Sequence, residues 1–169
     1  MRNFQGRIRR LMGQAFFEIF AADPRSPEAV ELMSLLSAEL ARLYDFVDDG
    51  SGYFQTEDVL VPASGFLIGN IAHRAVACGA YRSYSADVAE IKRMFVIPEF
   101  RGRGFSKLVL ADLETRARRD GYQYVRLETG YRQPQAISLY EKSGYYRIDN
   151  YGPWVGDVRS LCFEKRLVD

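Results

Sequence analysis

Hydrophobic and polar positions alternate along this chain with two different periods, and the switches between them divide it into elements. Residues 14–22 are apolar and aromatic apart from two polar positions, which predicts a strand that ends at Asp23-Pro24. Apolar residues then recur at three- and four-residue intervals over residues 29–43, which predicts an amphipathic helix with one buried stripe. Ser26 and Pro27 supply the N-cap and the first helical position of that helix.

The succession of strand and helix patterns is lost in the middle of the chain and returns after it. Residues 45–62 follow neither period, so we expect a loop with one helical turn that borders a functional site. The elements predicted after it are strands over residues 65–71 and 74–81 joined at Ala72-His73, a strand over 87–96, a helix from residue 105 closed by Gly121, a strand over 122–129, a helix over 134–143 and a strand over 158–165. This order predicts an α/β (α+β) fold with helices on both faces of a largely antiparallel sheet.

Composition limits the classes of function. The chain has 169 residues, 47% of them hydrophobic, which suits one domain over residues 1–169 that folds without metal or disulfide staples. A formal net charge of +1 gives no general attraction for nucleic acids or acidic membranes, so any anion site must be local. Cys78 and Cys162 belong to no CxxC pair and are expected to be buried thiols in a reducing compartment.

The start of the chain and the single histidine argue against a secreted or membrane protein, a metal site and a Ser/His/Asp triad. Residues 1–13 carry several arginines and are expected to be a solvated end that leads into the first strand of a cytoplasmic protein. The apolar run that follows is too short for a secretory or membrane segment. His73 lies in the predicted hairpin turn, so neither a metal site nor a Ser/His/Asp triad is expected.

The most informative segment joins the strand over residues 87–96 to the next helix through Arg101-Gly102-Arg103-Gly104-Phe105-Ser106, called here the glycine turn. The first turn of a helix leaves backbone N–H groups without partners at the positive end of the helix dipole. Gly102 and Gly104 allow a phosphate to approach those groups, and the two arginines and Lys107 add charge. The segment therefore predicts a site for a pyrophosphate or a similar polyanion. A turn that merely caps the helix is the alternative.

Two other glycine loops are excluded by spacing. A P-loop needs four residues between its first glycine and Gly-Lys-Ser/Thr, and a dinucleotide fingerprint needs a small residue where Lys107 stands. The glycine turn instead resembles the Q/R-x-x-G-x-G/A motif of the GNAT superfamily of N-acetyltransferases, with Ser106 in the last small position. A second part of that family's pattern follows about thirty residues later, in Gln133-Pro134-Gln135-Ala136-Ile137-Ser138-Leu139-Tyr140-Glu141-Lys142-Ser143-Gly144-Tyr145.

This resemblance implies a central sheet of six to seven strands that splays to admit acetyl-CoA as the co-substrate, without a metal. The cofactor would lie between the strand over residues 87–96 and the strand over 122–129, after a bulge near Arg93-Met94-Phe95 that frees backbone groups for the pantetheine arm. Gln133 stands where many relatives have Asn. The implied cofactor-binding residues are Met94, Phe95, Val96, Arg101, Gly102, Arg103, Gly104, Phe105, Ser106, Gln133 and Tyr140.

The resemblance also implies catalytic roles. A protonated amine needs a proton acceptor before it attacks a thioester, and Glu90 stands where relatives often carry an acid. A strand-face glutamate paired with Lys92 or Arg93 is the alternative for Glu90. Tyr140 occupies the family's general-acid position and would protonate the leaving thiolate, although a core tyrosine is its alternative. Tyr131 is a candidate for contact with the acceptor.

The sequence therefore favours transfer of an acetyl group from acetyl-CoA to a small primary amine, without nucleic-acid or membrane partners. A CoA-binding sensor that needs neither Glu90 nor Tyr140 is the main alternative. A nucleic-acid-binding module, suggested by Arg101-Gly102-Arg103, is opposed by the near-neutral charge. A homodimer is common in the family, but no segment of the sequence requires it.

Overall fold

The computed structural model describes residues 8–12, 15–44 and 54–167. The strands are β1 (Ile8–Met12), β2 (Ala15–Ala21), β3 (Gly65–Ile71), β4 (Arg74–Ser83), β5 (Val88–Val96), β6 (Tyr124–Gly130), β7 (Tyr146–Ile148) and β8 (Ser160–Arg166). The helices are α1 (Pro27–Tyr44), α2 (Phe105–Arg119) and α3 (Pro134–Lys142). Single 3-10 turns lie at Thr56–Val59, Pro98–Phe100 and Gly152–Trp154.

Within the described residues the strands form one sheet in the order β1-β2-β3-β4-β5-β6-β8-β7. Every neighbouring pair is antiparallel except β5 and β6, which are parallel. The predicted mixed, mostly antiparallel fold is confirmed. The sheet has eight strands because a short strand is added at each edge. β1 lies in residues 1–13, so the prediction of a solvated end is wrong for Ile8–Met12, and β7 lies where the sequence predicted no strand. Each is held by backbone pairing to a single neighbour.

The loop predicted over residues 45–62 is described only from residue 54 onwards, and its single 3-10 turn at Thr56–Val59 matches the predicted helical turn. The predicted hairpin between β3 and β4 is confirmed. Its two turn residues, Ala72 and His73, have φ values of 46° and 66°. Two consecutive left-handed residues match the right-handed twist of the flanking strands.

The helices cover opposite faces of the sheet. A Cβ atom added at Gly79 of β4 would lie 2.8 Å from Leu113 of α2, so α2 packs directly on this face. A Cβ atom added at Gly130 of β6 would meet the Tyr44 ring of α1, which therefore covers the other face. The largest fully buried side chains include Phe17, Phe66, Phe105, Phe163, Ile19, Leu32, Leu67, Ile91, Leu110, Leu113 and Leu127.

Truncation of a side chain between α2 and the sheet tests this packing. Leu113 is 0% exposed, so Leu113→Ala leaves a cavity and is expected to lower the free energy of unfolding by about 2–5 kcal/mol. Leu35→Ala on the exposed side of α1 is the control and should cost less than about 0.5 kcal/mol. Urea unfolding of both variants measures the difference, and equal losses would contradict the assignment of Leu113 to the core.

Candidate active site

The strand pair β5 and β6 separates partway along its length. Val88–Ile91 pairs with Tyr124–Leu127, and within the described residues the pairing ends at Ile91 and Leu127. Beyond that point β5 continues along β4, and β6 continues along β8. The gap between residues 92–96 and 128–130, called here the fork, leaves one edge of each strand open to a ligand.

A bulge shapes the β5 side of the fork. The register between β4 and β5 shifts between Cys78 and Ala80, so that Gly79 opposes both Arg93 and Met94. Arg93 has a φ of 55°, and its carbonyl oxygen accepts a hydrogen bond from the Cys78 thiol (3.3 Å). The structure therefore places a bulge where the family resemblance implied one. A bulge bends the strand and releases backbone groups from the ladder.

The glycine turn connects β5 to α2 beside the fork. Gly102 and Gly104 have φ values of 74° and 81°, and no heavy atom lies within 4 Å of a Cβ added at either. The first hydrogen bond of the α2 ladder runs from the Leu108 N–H to the Gly104 carbonyl (3.2 Å). The N–H groups of Phe105 and Ser106 therefore precede the ladder, in the position that suits a bound anion.

The two arginines of the glycine turn are partly committed to the protein. Arg101 Nε donates to the Val96 carbonyl (2.8 Å), and its Nη2 pairs with Glu39 of α1 at 2.6 Å. Arg103 Nη2 donates to the Glu99 carbonyl (3.2 Å). Both side chains remain exposed, so they fix the shape of the turn and keep positive charge beside it.

Other predicted cofactor residues lie on β5, at the start of α2 and before α3. The Phe95 and Val96 side chains are buried, and the Met94 sulfur points at Gly79 on the α2 face. The Phe105 ring stacks on Phe17 with centroids 4.2 Å apart, which anchors the start of α2. Gln133 stands at the N-cap position of α3, where its side chain makes no capping hydrogen bond.

Tyr140 is buried on α3, on the face of the sheet that α2 covers. Its ring lies 6.1 Å from that of Phe163 and 5.7 Å from that of Tyr145, measured between centroids. Burial raises the pKa of the Tyr140 phenol well above its usual value, and the nearby Glu128 carboxylate adds to the effect. The phenol therefore keeps its proton near neutral pH and is able to donate it.

Glu90 lies on the opposite face and is 3% exposed. Arg82 donates to Glu90 Oε2 from Nε (2.9 Å) and approaches it with Nη2 (2.8 Å), and Tyr151 Oη donates to Glu90 Oε1 (3.0 Å). Lys92 Nζ lies 3.7 Å from the same Oε1. Both carboxylate oxygens are thus engaged, and the contact with Lys92 is the alternative predicted for this residue. Burial, with the Glu90 carboxylate, raises the pKa of the Tyr151 phenol.

A cleft opens over this network. Its volume is about 440 Å³, and it is lined by Glu57, Asp58, Val61, Arg82, Ser83, Tyr84 and Glu90. Arg82 also pairs with Asp58, so one guanidinium joins the 3-10 turn of the loop to the sheet. Glu57, Asp58 and Val61 of this lining belong to the loop over residues 45–62, which the sequence predicted to border a site.

Tyr131, the predicted acceptor contact, lies at the end of α1 and is not among the described residues that line the cleft. Its ring packs edge-on against Tyr44 at 6.2 Å, and its hydroxyl accepts a hydrogen bond from Arg132 Nε (2.9 Å). Arg132 in turn donates to the Leu43 carbonyl (3.0 Å). These contacts fasten the C-terminal end of α1 to the loop after β6.

Sequence reasoning missed several polar residues of the cleft face. Arg82, Tyr151, Glu128 and Ser160 come from four separate segments, and only the sheet brings them together. The one available signal was the charge at Arg82 in β4 and at Glu128 in β6. Charged side chains on a buried strand face are rare without a partner, which marks them for attention.

Within residues 8–12, 15–44 and 54–167, no group of three or more His, Cys, Asp or Glu side chains is arranged to hold a metal ion. None of the helices in these segments has the length and apolar character needed to cross a membrane.

Comparison with known proteins identifies the family. The model of the acetyltransferase (GNAT) family matches residues 15–145. The IAA acetyltransferase of Azospirillum brasilense is 32% identical over 145 residues, which cover 85% of this chain and 94% of that protein. These matches identify the protein as an acyltransferase. The chain belongs to the GNAT acetyltransferase family.

Solved structures share the fold. A GNAT-family acetyltransferase from Staphylococcus aureus is 16% identical, with a TM-score of 0.76 over 90% of this chain and 99% of that one. A GNAT-family acetyltransferase from Elizabethkingia anophelis, solved with acetyl-CoA bound, is 15% identical, with a TM-score of 0.67 over 89% of this chain and 97% of that one. At these identities the likeness shows the common fold.

Proposed function

We propose that this protein transfers an acetyl group from acetyl-CoA to a small primary amine, by direct attack within a ternary complex. The fork carries the proposal, because the parting of β5 and β6 removes the backbone pairing that would otherwise divide one face of the sheet from the other there. The glycine turn and Tyr140 lie toward one face, and the cleft with Glu90 lies on the other. Two reactants are able to meet there from opposite sides, which supplies the positioning on which such catalysis depends.

The residues present fit acetyl-CoA. The free N–H groups at the start of α2 and the open space at Gly102 and Gly104 suit the pyrophosphate. The open edge of β5 beyond Ile91, with Met94 in the bulge, suits the amide groups of the pantetheine arm. Gln133, just after the end of β6, is the proposed source of a further amide contact. Acetyl-CoA supplies an activated acetyl thioester.

Tyr140 is the proposed general acid. The leaving thiol has a pKa near that of cysteine, about 8.5, so it departs more readily when a proton is supplied. The raised pKa of Tyr140 keeps its phenol protonated over the working pH range. Its buried position restricts the ring to one orientation beside the fork.

The proton-acceptor role of Glu90 remains a prediction, and its contacts favour a second role. Its carboxylate already accepts hydrogen bonds from Arg82 and Tyr151, so both of its oxygens are engaged within the protein. Those contacts connect β5 to the 3-10 turn through Asp58 and to the loop of Tyr151. In this role Glu90 holds the walls of the acceptor cleft together.

The charge of the cleft supports an amine as the acceptor. Its lining carries three carboxylates, those of Glu57, Asp58 and Glu90, against the single guanidinium of Arg82. An excess of negative charge in a cleft attracts a cationic amine and raises its local concentration. Val61 and Tyr84 add apolar surface for the body of a small molecule. Tyr131 stays a secondary candidate for contact with a longer acceptor.

A panel of amines tests the proposal. The protein is incubated with acetyl-CoA and benzylamine, tyramine, lysine or spermidine, and thiol release is followed while the acetylated product is identified by mass spectrometry. We expect acetylation of at least one amine at a rate well above the reaction without protein. Tight acetyl-CoA binding without any acetylated product across a broad panel would instead support the CoA-binding sensor, which the comparisons do not favour.

A Glu90→Gln variant tests the structural role of the network. The neutral amide loses the charge-assisted bonds to Arg82, so we expect the free energy of unfolding to fall by about 1.5–3 kcal/mol. Glu57→Gln, at an exposed carboxylate of the same cleft, is the control and should change stability by less than about 0.5 kcal/mol. Denaturant unfolding at pH 7 compares the two, and an unchanged Glu90→Gln stability would argue against the network.

Assembly and location stay predictions. We expect a cytoplasmic protein, and a homodimer is the assembly to look for by light scattering.

A further inference from the structure

The fork contains a buried amine that the proposed mechanism does not use. Lys92 on β5 directly follows Ile91, the last residue of the parallel pairing with β6. Side chains alternate along a strand, so the Lys92 side chain lies on the same face of the sheet as that of Glu90, which lines the cleft. Of the four lysines in the sequence, Lys92 is therefore the one that stands at the fork on the side from which the acceptor enters.

The Lys92 amine is enclosed by charged and aromatic side chains. The side chain is 11% exposed, and its Nζ lies 3.7 Å from Glu90 Oε1 and 5.0 Å from the centroid of the Trp154 ring. At 3.7 Å the contact with Glu90 is longer than a hydrogen bond, so the amine is not locked to that carboxylate. The nitrogen is therefore held near the fork without being committed to one partner.

Burial also affects the charge of this amine. It lowers the pKa of the Lys92 ammonium group, while the carboxylates of Glu90 and Glu128 oppose that fall. The charges of Arg82 and Arg93 lower the pKa further. A larger share of Lys92 than of an exposed lysine is therefore uncharged near neutral pH, and only the uncharged amine is a nucleophile.

The position of Lys92 on β5 brings this amine close to the acetyl group of the co-substrate. In the proposed function the thioester lies in the fork, alongside residues 92–96. The same strand then carries the backbone that receives the pantetheine arm and, at its first residue past the pairing, an amine on the acceptor side. Two groups held together in this way react with the advantage of an intramolecular step.

We propose that the protein acetylates its own Lys92 when acetyl-CoA is bound and no acceptor amine occupies the cleft. The inference rests on the proposed function. The Lys92 nitrogen uses its lone pair to form a bond with the acetyl carbon, and the carbon–sulfur bond breaks with its electron pair on sulfur. The nitrogen gives one proton to water, and Tyr140 gives one proton to sulfur and regains it from water. The products are an acetylated Lys92 side chain and CoA.

Acetylation changes the acceptor side of the fork. It removes the positive charge of Lys92, and with it the attraction to Glu90 and to the Trp154 ring. It also adds an acetyl amide beside the opening through which an acceptor amine must reach the thioester. The modified protein is therefore expected to acetylate amines more slowly than the unmodified protein.

Mass spectrometry of the wild-type protein after incubation with acetyl-CoA alone tests the inference. Trypsin does not cut after acetyl-lysine, so modification of Lys92 yields a peptide of residues 83–93 with one acetyl group. We expect Lys92 to be acetylated about 100-fold or more faster than Lys142, an exposed lysine at the end of α3 that reports the uncatalysed reaction. The first-order rate constant should not change when the protein is diluted, and a saturating acceptor amine should lower it.

The fluorescence of Trp154 gives a second readout that does not depend on turnover of an amine. Trp154 is the single tryptophan of the chain, and its ring loses the neighbouring ammonium charge when Lys92 is acetylated. Its emission should change with the same rate constant as the peptide mass. Lys92→Arg is the matched control, because it keeps a positive charge and has no amine to acetylate. It should show neither an acetyl group at this position nor the slow change in emission.

An unmodified Lys92, or one acetylated no faster than Lys142, in a protein that acetylates an added amine would overturn the inference and leave the proposed function in place. A rate constant that rises in proportion to the protein concentration would overturn it as well, because the transfer would then occur between molecules. Failure to acetylate both Lys92 and every amine of the panel would contradict the proposed function itself.

Discussion

Removal of the Tyr140 hydroxyl is expected to lower kcat by about 100- to 1,000-fold while acetyl-CoA binding stays within a factor of two or three. Tyr140→Phe keeps the ring contacts with Phe163 and Tyr145, so the fold around α3 is preserved. The variant loses only the proton that we assign to the leaving sulfur. Steady-state thiol release gives kcat, and calorimetric titration gives the affinity for acetyl-CoA.

Tyr145→Phe provides the control for this experiment. Tyr145 is a buried tyrosine whose ring centroid lies 5.7 Å from that of Tyr140, and we give it no part in the reaction. Its kcat should remain within about threefold of the wild-type value. Equal rates for Tyr140→Phe and the wild-type protein would remove Tyr140 from the mechanism and leave it a core residue, which is the alternative that the sequence left open.

A side chain at Gly104 is expected to weaken acetyl-CoA binding by about 100-fold or more. Gly104 has a φ of 81°, which a β-branched residue adopts only at a cost of roughly 1–3 kcal/mol. Gly104→Val also places methyl groups where the phosphate must approach the N–H groups of α2. The strain lowers the stability of the protein with or without the ligand. Since each 1.4 kcal/mol is tenfold in affinity, the expected loss of affinity corresponds to an obstruction that costs about 2.7 kcal/mol.

Gly121→Val separates these two effects. Gly121 has a φ of 99° just beyond the opposite end of α2, and no heavy atom lies within 4 Å of an added Cβ. It should lower Tm by an amount similar to that of Gly104→Val and leave the dissociation constant of acetyl-CoA unchanged. If both variants bind acetyl-CoA like the wild-type protein, the glycine turn is only a helix cap.

Local features of the site could be predicted from the sequence. The positive φ values at Gly102 and Gly104 are properties of single residues, and the family motif marks the turn that they form. The bulge at Arg93 follows from the same resemblance. The alternation of strands and helices came from hydrophobic periodicity, which holds wherever an element has one buried face.

Contacts between distant segments could not be predicted. The partners of Glu90 are Arg82, eight residues away, and Tyr151, sixty-one residues away in a loop with no regular pattern. The contact of Glu128 with Ser160 likewise depends on the register between β6 and β8. Such facts depend on strand order and register, which a single sequence does not specify. The edge strands β1 and β7 were missed because backbone hydrogen bonds to one neighbour hold them, and such bonds leave no pattern of side chains in the sequence.

The most direct test of the central claim is thermal unfolding with and without acetyl-CoA, followed in the same samples by thiol release with the amine panel. Acetyl-CoA at 100 times its dissociation constant should stabilise the protein by about 2.7 kcal/mol, which raises Tm by roughly 5–10 °C. We predict this shift together with thiol release in the presence of at least one amine. An unchanged Tm at saturating acetyl-CoA, with no thiol release for any amine, would contradict the account.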